Sequence, residues 1–225
     1  MNALRNAVYL AIGLLIGVVF HEYMHGRVAE WRGDPTARNA GRLTLNPAAH
    51  IDPFGTVLLP IGLLLMSQGR VAFGYAKPVP VNPYFLKKRG DMTLVALAGP
   101  LTNFAIALVV SLAGMLVHLF GVSAVSQVGA FEIGISEPYA LLYMVVVINV
   151  FLGVFNLMPV PPLDGSRILE RFLPASARDA YERIEPFGFM IVFMFLYLFG
   201  DLFFRLLHPL WAFLGGIMGI PSGLL

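Results

Sequence analysis

The sequence has no cysteine and very little charge. Without cysteine there is no disulfide and no thiolate ligand, so any metal must be held by nitrogen and oxygen. Charged side chains make up only 12% of the 225 residues against 58% hydrophobic ones, which excludes a soluble domain of ordinary composition. The net charge of +2 invites a nucleic-acid partner, but the basic residues are scattered among turns and no patch interleaves them with aromatics. That pattern argues for no nucleic acid. What is present in abundance is apolar sequence in long runs, the mark of a polytopic protein whose surroundings are a lipid bilayer.

The runs give an all-α polytopic membrane fold. A first helix is expected from about 5 to 30, stopped by Gly33-Asp34-Pro35. Arg5 followed by an apolar run resembles a signal peptide, yet no small-x-small site stands at its end, so a retained membrane helix is expected. Further helices are expected at about 92–120 and 138–158, then at 187–207, with a short last piece at 209–220. The segment 54–67 is about fourteen residues long and contains Pro60, whereas a spanning helix needs about twenty; it should dip into the membrane and return. Residues 68–91 alternate loosely and suit a short strand or hairpin. Residues 166–185 form an amphipathic stretch expected to lie at the interface. In all, about five to six membrane segments surround a core of three helices, with a short re-entrant segment and a β-hairpin. Residues 1–170 should form a membrane core and 171–225 a C-terminal amphipathic stretch with membrane helices.

Of the fifteen Lys and Arg, thirteen fall in three connections: four in 26–53, five in 68–91 and four in 159–186. The loop 121–138 has none. If positive loops stay in the cytoplasm, these three lie inside and the N-terminus outside, with Arg5 alone pointing the other way.

The chain is organised around His21-Glu22-Tyr23-Met24-His25. Positions four apart stack on one helix face, so His21 and His25 can offer two imidazoles to one metal while Glu22 points beside it. A buried, hydrogen-bonded histidine pair is the plainer alternative. Two imidazoles and a carboxylate beside a run long enough for lipid favour the metal, because ionisable groups there are rare and usually functional. A third ligand must come from elsewhere. The first helix and the 138–158 helix both run from outside to inside, which sets Asp164 at a depth similar to the histidines; an ordinary Asp-Gly turn is the alternative.

These residues resemble the site-2 protease family of intramembrane zinc metalloproteases. The resemblance rests on His21-Glu22-x-x-His25, on Ala98-Gly99-Pro100-x-x-Asn103, and on Asn156-x-x-Pro159-x-Pro161-Pro162-Leu163-Asp164-Gly165, and it covers roughly residues 7–170. It implies that His21, His25 and Asp164 ligate one zinc per chain, that Glu22 is the general base, and that Asn156 positions the substrate or its reacting carbonyl. A structural hydrogen bond is the alternative for Asn156, and helix packing is expected for Asn103. The chain looks like a compact member, with no connection long enough for an inserted PDZ domain and no cystathionine-synthase-type domain. His50 and Asp52 are a possible second ligand pair, although turn stabilisation suits them better. An integral protein of a prokaryotic cell membrane is expected, and the positive connections put its site on the cytoplasmic side. Its partner would be a transmembrane substrate, cut during regulated proteolysis or signal-peptide clearance, and an edge strand from 70 to 81 could hold that substrate extended. The rivals are a zinc hydrolase of non-peptide bonds and a non-enzymatic metal transporter or scaffold.

Overall fold

The computed structural model describes residues 2–58, 62, 74–88, 90–127 and 133–225. Among the described residues the fold is all-α apart from one small sheet. Helix α1 covers Asn2–Trp31 and a short α2 covers Thr36–Asn39. Then come α3 (Asp91–Leu119), strands β1 (Val125–Gln127) and β2 (Ile133–Ile135), and α4 (Glu137–Asn156). The chain ends with α5 (Asp164–Glu170), α6 (Ala175–Glu182) and α7 (Gly188–Ile217). Among the described residues four stretches are long and apolar enough to cross a membrane: α1, α3, α4 and Ser176–Ile217, which contains α7. This is a polytopic membrane protein.

The chain divides into two compact units, one of residues 1–17 and 100–225, the other of residues 18–99. In the first, the packing of α1, α3 and α4 is written in small residues and amides. Gly17 lies where an added Cβ would stand 2.7 Å from the tip of Leu152 and 3.0 Å from Asn149 Oδ1, so a larger residue would displace those side chains. The Asn103 amide donates to the Gly17 carbonyl (3.1 Å) and to Asn149 Oδ1 (3.0 Å), and the Asn149 amide donates to the Val145 carbonyl (2.8 Å). Both asparagines are fully buried. In a membrane, where water cannot satisfy such groups, this amide chain ties three helices together. Helix packing is the role expected for Asn103.

The apolar core of this unit collects Val146 and Val150 of α4 with Phe203, Leu207 and Leu214 of α7. An uninterrupted α7 replaces the two pieces expected at 187–207 and 209–220. Pro209 removes one helix hydrogen bond, but Trp211 donates to the Val147 carbonyl (3.2 Å) and Leu214 is buried just beyond it. Packing on both sides of the proline holds the helix through it.

The two-stranded antiparallel sheet pairs Val125 with Ile135 and Gln127 with Ile133, so it lies in the loop that lacks basic residues. No strand forms at 74–88, the described part of the stretch where a hairpin was expected. The expected re-entrant dip is described only at its start, where Pro53–Leu58 forms a π-helical turn; most of 54–67 lies outside the described residues.

In the second unit, polar side chains organise irregular chain. The buried Asp34 accepts from the Thr36 amide (3.0 Å) and the Asn82 amide (2.6 Å). Residues 75–79 run extended with alternate amides turned inward: Tyr75 donates to the Gly55 carbonyl (3.0 Å) and Lys77 to that of His50 (3.0 Å). The intervening positions include Pro78 and Pro80, which have no N–H. An added strand along 76–80 would therefore find carbonyl acceptors but a single donor, at Ala76, which weakens the edge-strand expectation for 70–81. Residues 70–73 lie outside the described residues.

Candidate metal centre

Helix α1 carries His21 and His25 one turn apart, and both are buried, 7% and 8% exposed. Their rings meet edge to face at 82°, with centres 4.5 Å apart. The two Nε2 atoms approach to 2.9 Å, so both point at a common place. Two imidazoles on one tetrahedral zinc, each at about 2.0–2.1 Å, would hold their nitrogens about 3.3 Å apart. The pair is preset to within roughly half an ångström of that arrangement.

What aims the His25 ring is backbone. His25 Nδ1 donates to the Val95 carbonyl of α3 at 2.7 Å. This bond fixes the tautomer, with the proton on Nδ1 and the lone pair on Nε2. One turn further along α3 stands Gly99, where an added Cβ would lie 2.4 Å from His25 Nε2 and 2.6 Å from His21 Nε2. Only glycine leaves that side of the nitrogen pair open. The space a Cβ would fill, bordered by two converging nitrogens in a chain without thiols, fits a metal of the zinc type.

Glu22, between the two histidines, is half-buried, and its Oε2 accepts the Val79 amide at 2.8 Å. The extended 75–79 segment thus orients the carboxylate. Its own inward pattern reaches Glu22 as the third member, after Tyr75 and Lys77. One of the two Glu22 oxygens is held in place by the Val79 amide.

The second unit therefore brings together His21, Glu22 and His25. Asp164 belongs to the first unit, where it is the half-buried opening residue of α5. Asn156 closes α4 there, and its Nδ2 donates to the Leu152 carbonyl one turn back at 2.9 Å. His50 and Asp52 serve the local turns: His50 bonds through Nε2 to the Thr44 carbonyl (2.8 Å), and Asp52 accepts the Gly55 amide (2.6 Å). Sequence reasoning missed the Val95 carbonyl and the Val79 amide, because main-chain groups carry no signature of their own. The spacing of Val95 four residues before Gly99 was the nearest available clue.

Against known proteins, residues 9–199 match the model of peptidase family M50. The Bacillus subtilis protein YwhC, named as a candidate zinc metalloprotease, is 39% identical over 190 residues, covering 84% of this chain and 80% of its own. Rip2 of Mycolicibacterium smegmatis, named likewise, is 30% identical over 191 residues, 84% of this chain and 66% of its own. Protease RseP of Yersinia pestis is 32% identical over 143 residues, 55% of this chain and 30% of its own. The chain thus spans most of the Bacillus protein but just under two thirds of Rip2. No solved structure matches it.

Proposed function

The chain belongs to peptidase family M50, the site-2 protease family, and is a membrane zinc metalloprotease; on that premise we propose that it hydrolyses peptide bonds within or near transmembrane segments of other membrane proteins. His21, His25 and Asp164 hold one zinc per chain, Asp164 supplying the carboxylate that a cysteine-free donor set requires. The site faces the cytoplasm of a prokaryotic cell, a reading supported by the positive charge of the connections at 26–53, 68–91 and 159–186. Its substrates are membrane-held regulators or leftover signal peptides. The observation that carries the reading is the convergence of the His21 and His25 Nε2 atoms at 2.9 Å beside an oriented Glu22.

The chemistry that zinc would supply when held there is Lewis acidity, which lowers the pKa of water towards neutrality and polarises a peptide carbonyl. Glu22 takes the proton of the attacking water on the oxygen that Val79 leaves unused, then returns it to the leaving amine. Val95 keeps the His25 ring from turning as charge develops. Asn156 positions the substrate: one of its two N–H donors goes to Leu152, and the second is available to a substrate carbonyl.

The test is cleavage of a model transmembrane substrate by purified wild-type and Glu22→Gln protein. The variant should retain its zinc and lose about two to four orders of magnitude in rate, the usual loss on removing a general base. Undiminished cleavage by Glu22→Gln would refute the mechanism. A wild-type protein that holds zinc but cuts no transmembrane substrate would favour the metal transporter or scaffold.

A further inference from the structure

Helix α7 carries a feature that peptide hydrolysis does not use. Asp201, Arg205 and His208 interrupt a helix that is otherwise almost wholly apolar, and all three are exposed. Their depth follows from neighbours on α4. Trp211 bonds to the carbonyl of Val147 (3.2 Å), Phe203 meets Phe151 edge to face at 6.2 Å between ring centres, and Phe204 stacks on it at 6.1 Å. Helix α4 is 20 residues long, about the length that crosses a hydrocarbon core, and Val147 to Phe151 lie near its middle. The charges on α7 therefore sit at mid-membrane depth, not among headgroups.

Ionisable groups at that depth need partners, and this chain supplies few. Among the described residues neither Asp201 nor Arg205 takes a hydrogen bond or ion pair. His208 has one long contact, 3.4 Å from Nε2 to the Leu225 carbonyl. Pro209 adds to the deficit, because it has no N–H to give the carbonyl of Arg205 four residues back. Asp201, Arg205, His208 and Pro209 together line an open hollow of about 580 Å³.

The pattern around them is regular. Met194, Leu198, Asp201, Arg205, His208 and Ala212 follow one another at steps of four and three, the spacing of a helix-pairing seam. Met194 and Leu198 are 54% and 59% exposed. A seam that carries both signs of charge one turn apart is self-complementary. In a parallel pair of identical helices, Arg205 points back towards its N-terminus and reaches the level of the partner's Asp201, and the symmetric contact forms at the same time.

We propose that this face of α7 is the interface for a second copy of the chain, with Asp201 and Arg205 of each copy pairing across a two-fold axis. The apolar positions of the seam bring the helices together and the charged ones fix their register, as polar seam residues do in soluble coiled coils. The charges choose this partner over lipid, since lipid tails offer neither sign.

The absence of cysteine makes the test direct: a single introduced thiol is the only one in the protein. Full-length Leu198→Cys and Leu206→Cys proteins are oxidised in native membranes and resolved by size. Leu206 is 70% exposed but lies on a different side of the helix, so Leu198→Cys should form a dimer and Leu206→Cys should not. Adding Asp201→Arg to Leu198→Cys should reduce the dimer to the Leu206→Cys background, and the further exchange Arg205→Asp should restore it. Restoration by a second substitution would exclude simple misfolding of the first. Equal cross-linking at both positions, none at Leu198→Cys, capture of a different protein there, or a dimer insensitive to Asp201→Arg would each overturn the proposal.

Discussion

At Gly99 a single missing carbon decides whether two imidazoles can share a metal. A Cβ at that position would stand 2.4 Å from His25 Nε2, inside any real contact distance, and the ring cannot retreat without breaking its bond to the Val95 carbonyl. Gly99→Ala should therefore weaken zinc retention by about ten- to a hundredfold, the usual effect of disturbing the groups behind a ligand. Competition with a chromophoric chelator measures it, and unchanged helical circular dichroism would show that the loss is local. The histidine pair was legible because its spacing is a matter of side chains at i and i+4. The sequence also displayed Gly99, but as part of a motif, without the steric reason for it. The Val95 and Val79 main-chain groups that aim His25 and Glu22 were not legible, since any residue supplies a carbonyl and nearly any supplies an N–H.

Among the helices, the strongest constraint is the buried amide chain of Asn103 and Asn149 against Gly17. Asn103→Leu would leave the Gly17 carbonyl and the Asn149 oxygen without these donors, at about 1–3 kcal/mol for groups stranded out of reach of water. Unfolding in mixed micelles should shift to a lower denaturant fraction by a corresponding amount, and an unshifted transition would show that neither group depends on Asn103. The helices themselves were readable from apolar runs, and α1 ends where Gly33-Asp34-Pro35 indicated. Two local features were not. Pro209 looked like a break, but tertiary packing of Trp211 and Leu214 outweighs the lost hydrogen bond. The loose alternation of 68–91 suited a strand or hairpin; in the described part, the inward bonds of Tyr75, Lys77 and Val79 anchor the segment to loops and to the Glu22 side chain. The small sheet at 125–135 gave no warning, being only three residues on each side.

For the whole molecule, the distribution of charge argues for a single topology. Arg5 near the start of α1 pairs with Glu137 at the start of α4, which puts these two helix beginnings at one end of their unit. The four basic residues of 159–186, which follow the other end of α4, favour the cytoplasm for that end. Single thiols at Ser123→Cys and Ser176→Cys should accordingly react differently with an impermeant reagent, the first in intact cells and the second only after permeabilisation; the reverse would invert the topology. The most direct measurement of the central claim is the zinc content of the purified full-length protein and of its His21→Ala, His25→Ala and Asp164→Asn variants. About one zinc per chain in the wild type, as a single three-ligand site implies, with loss in each variant is the predicted result. Full zinc content in Asp164→Asn would contradict the account, because the two histidines would then find their third ligand elsewhere.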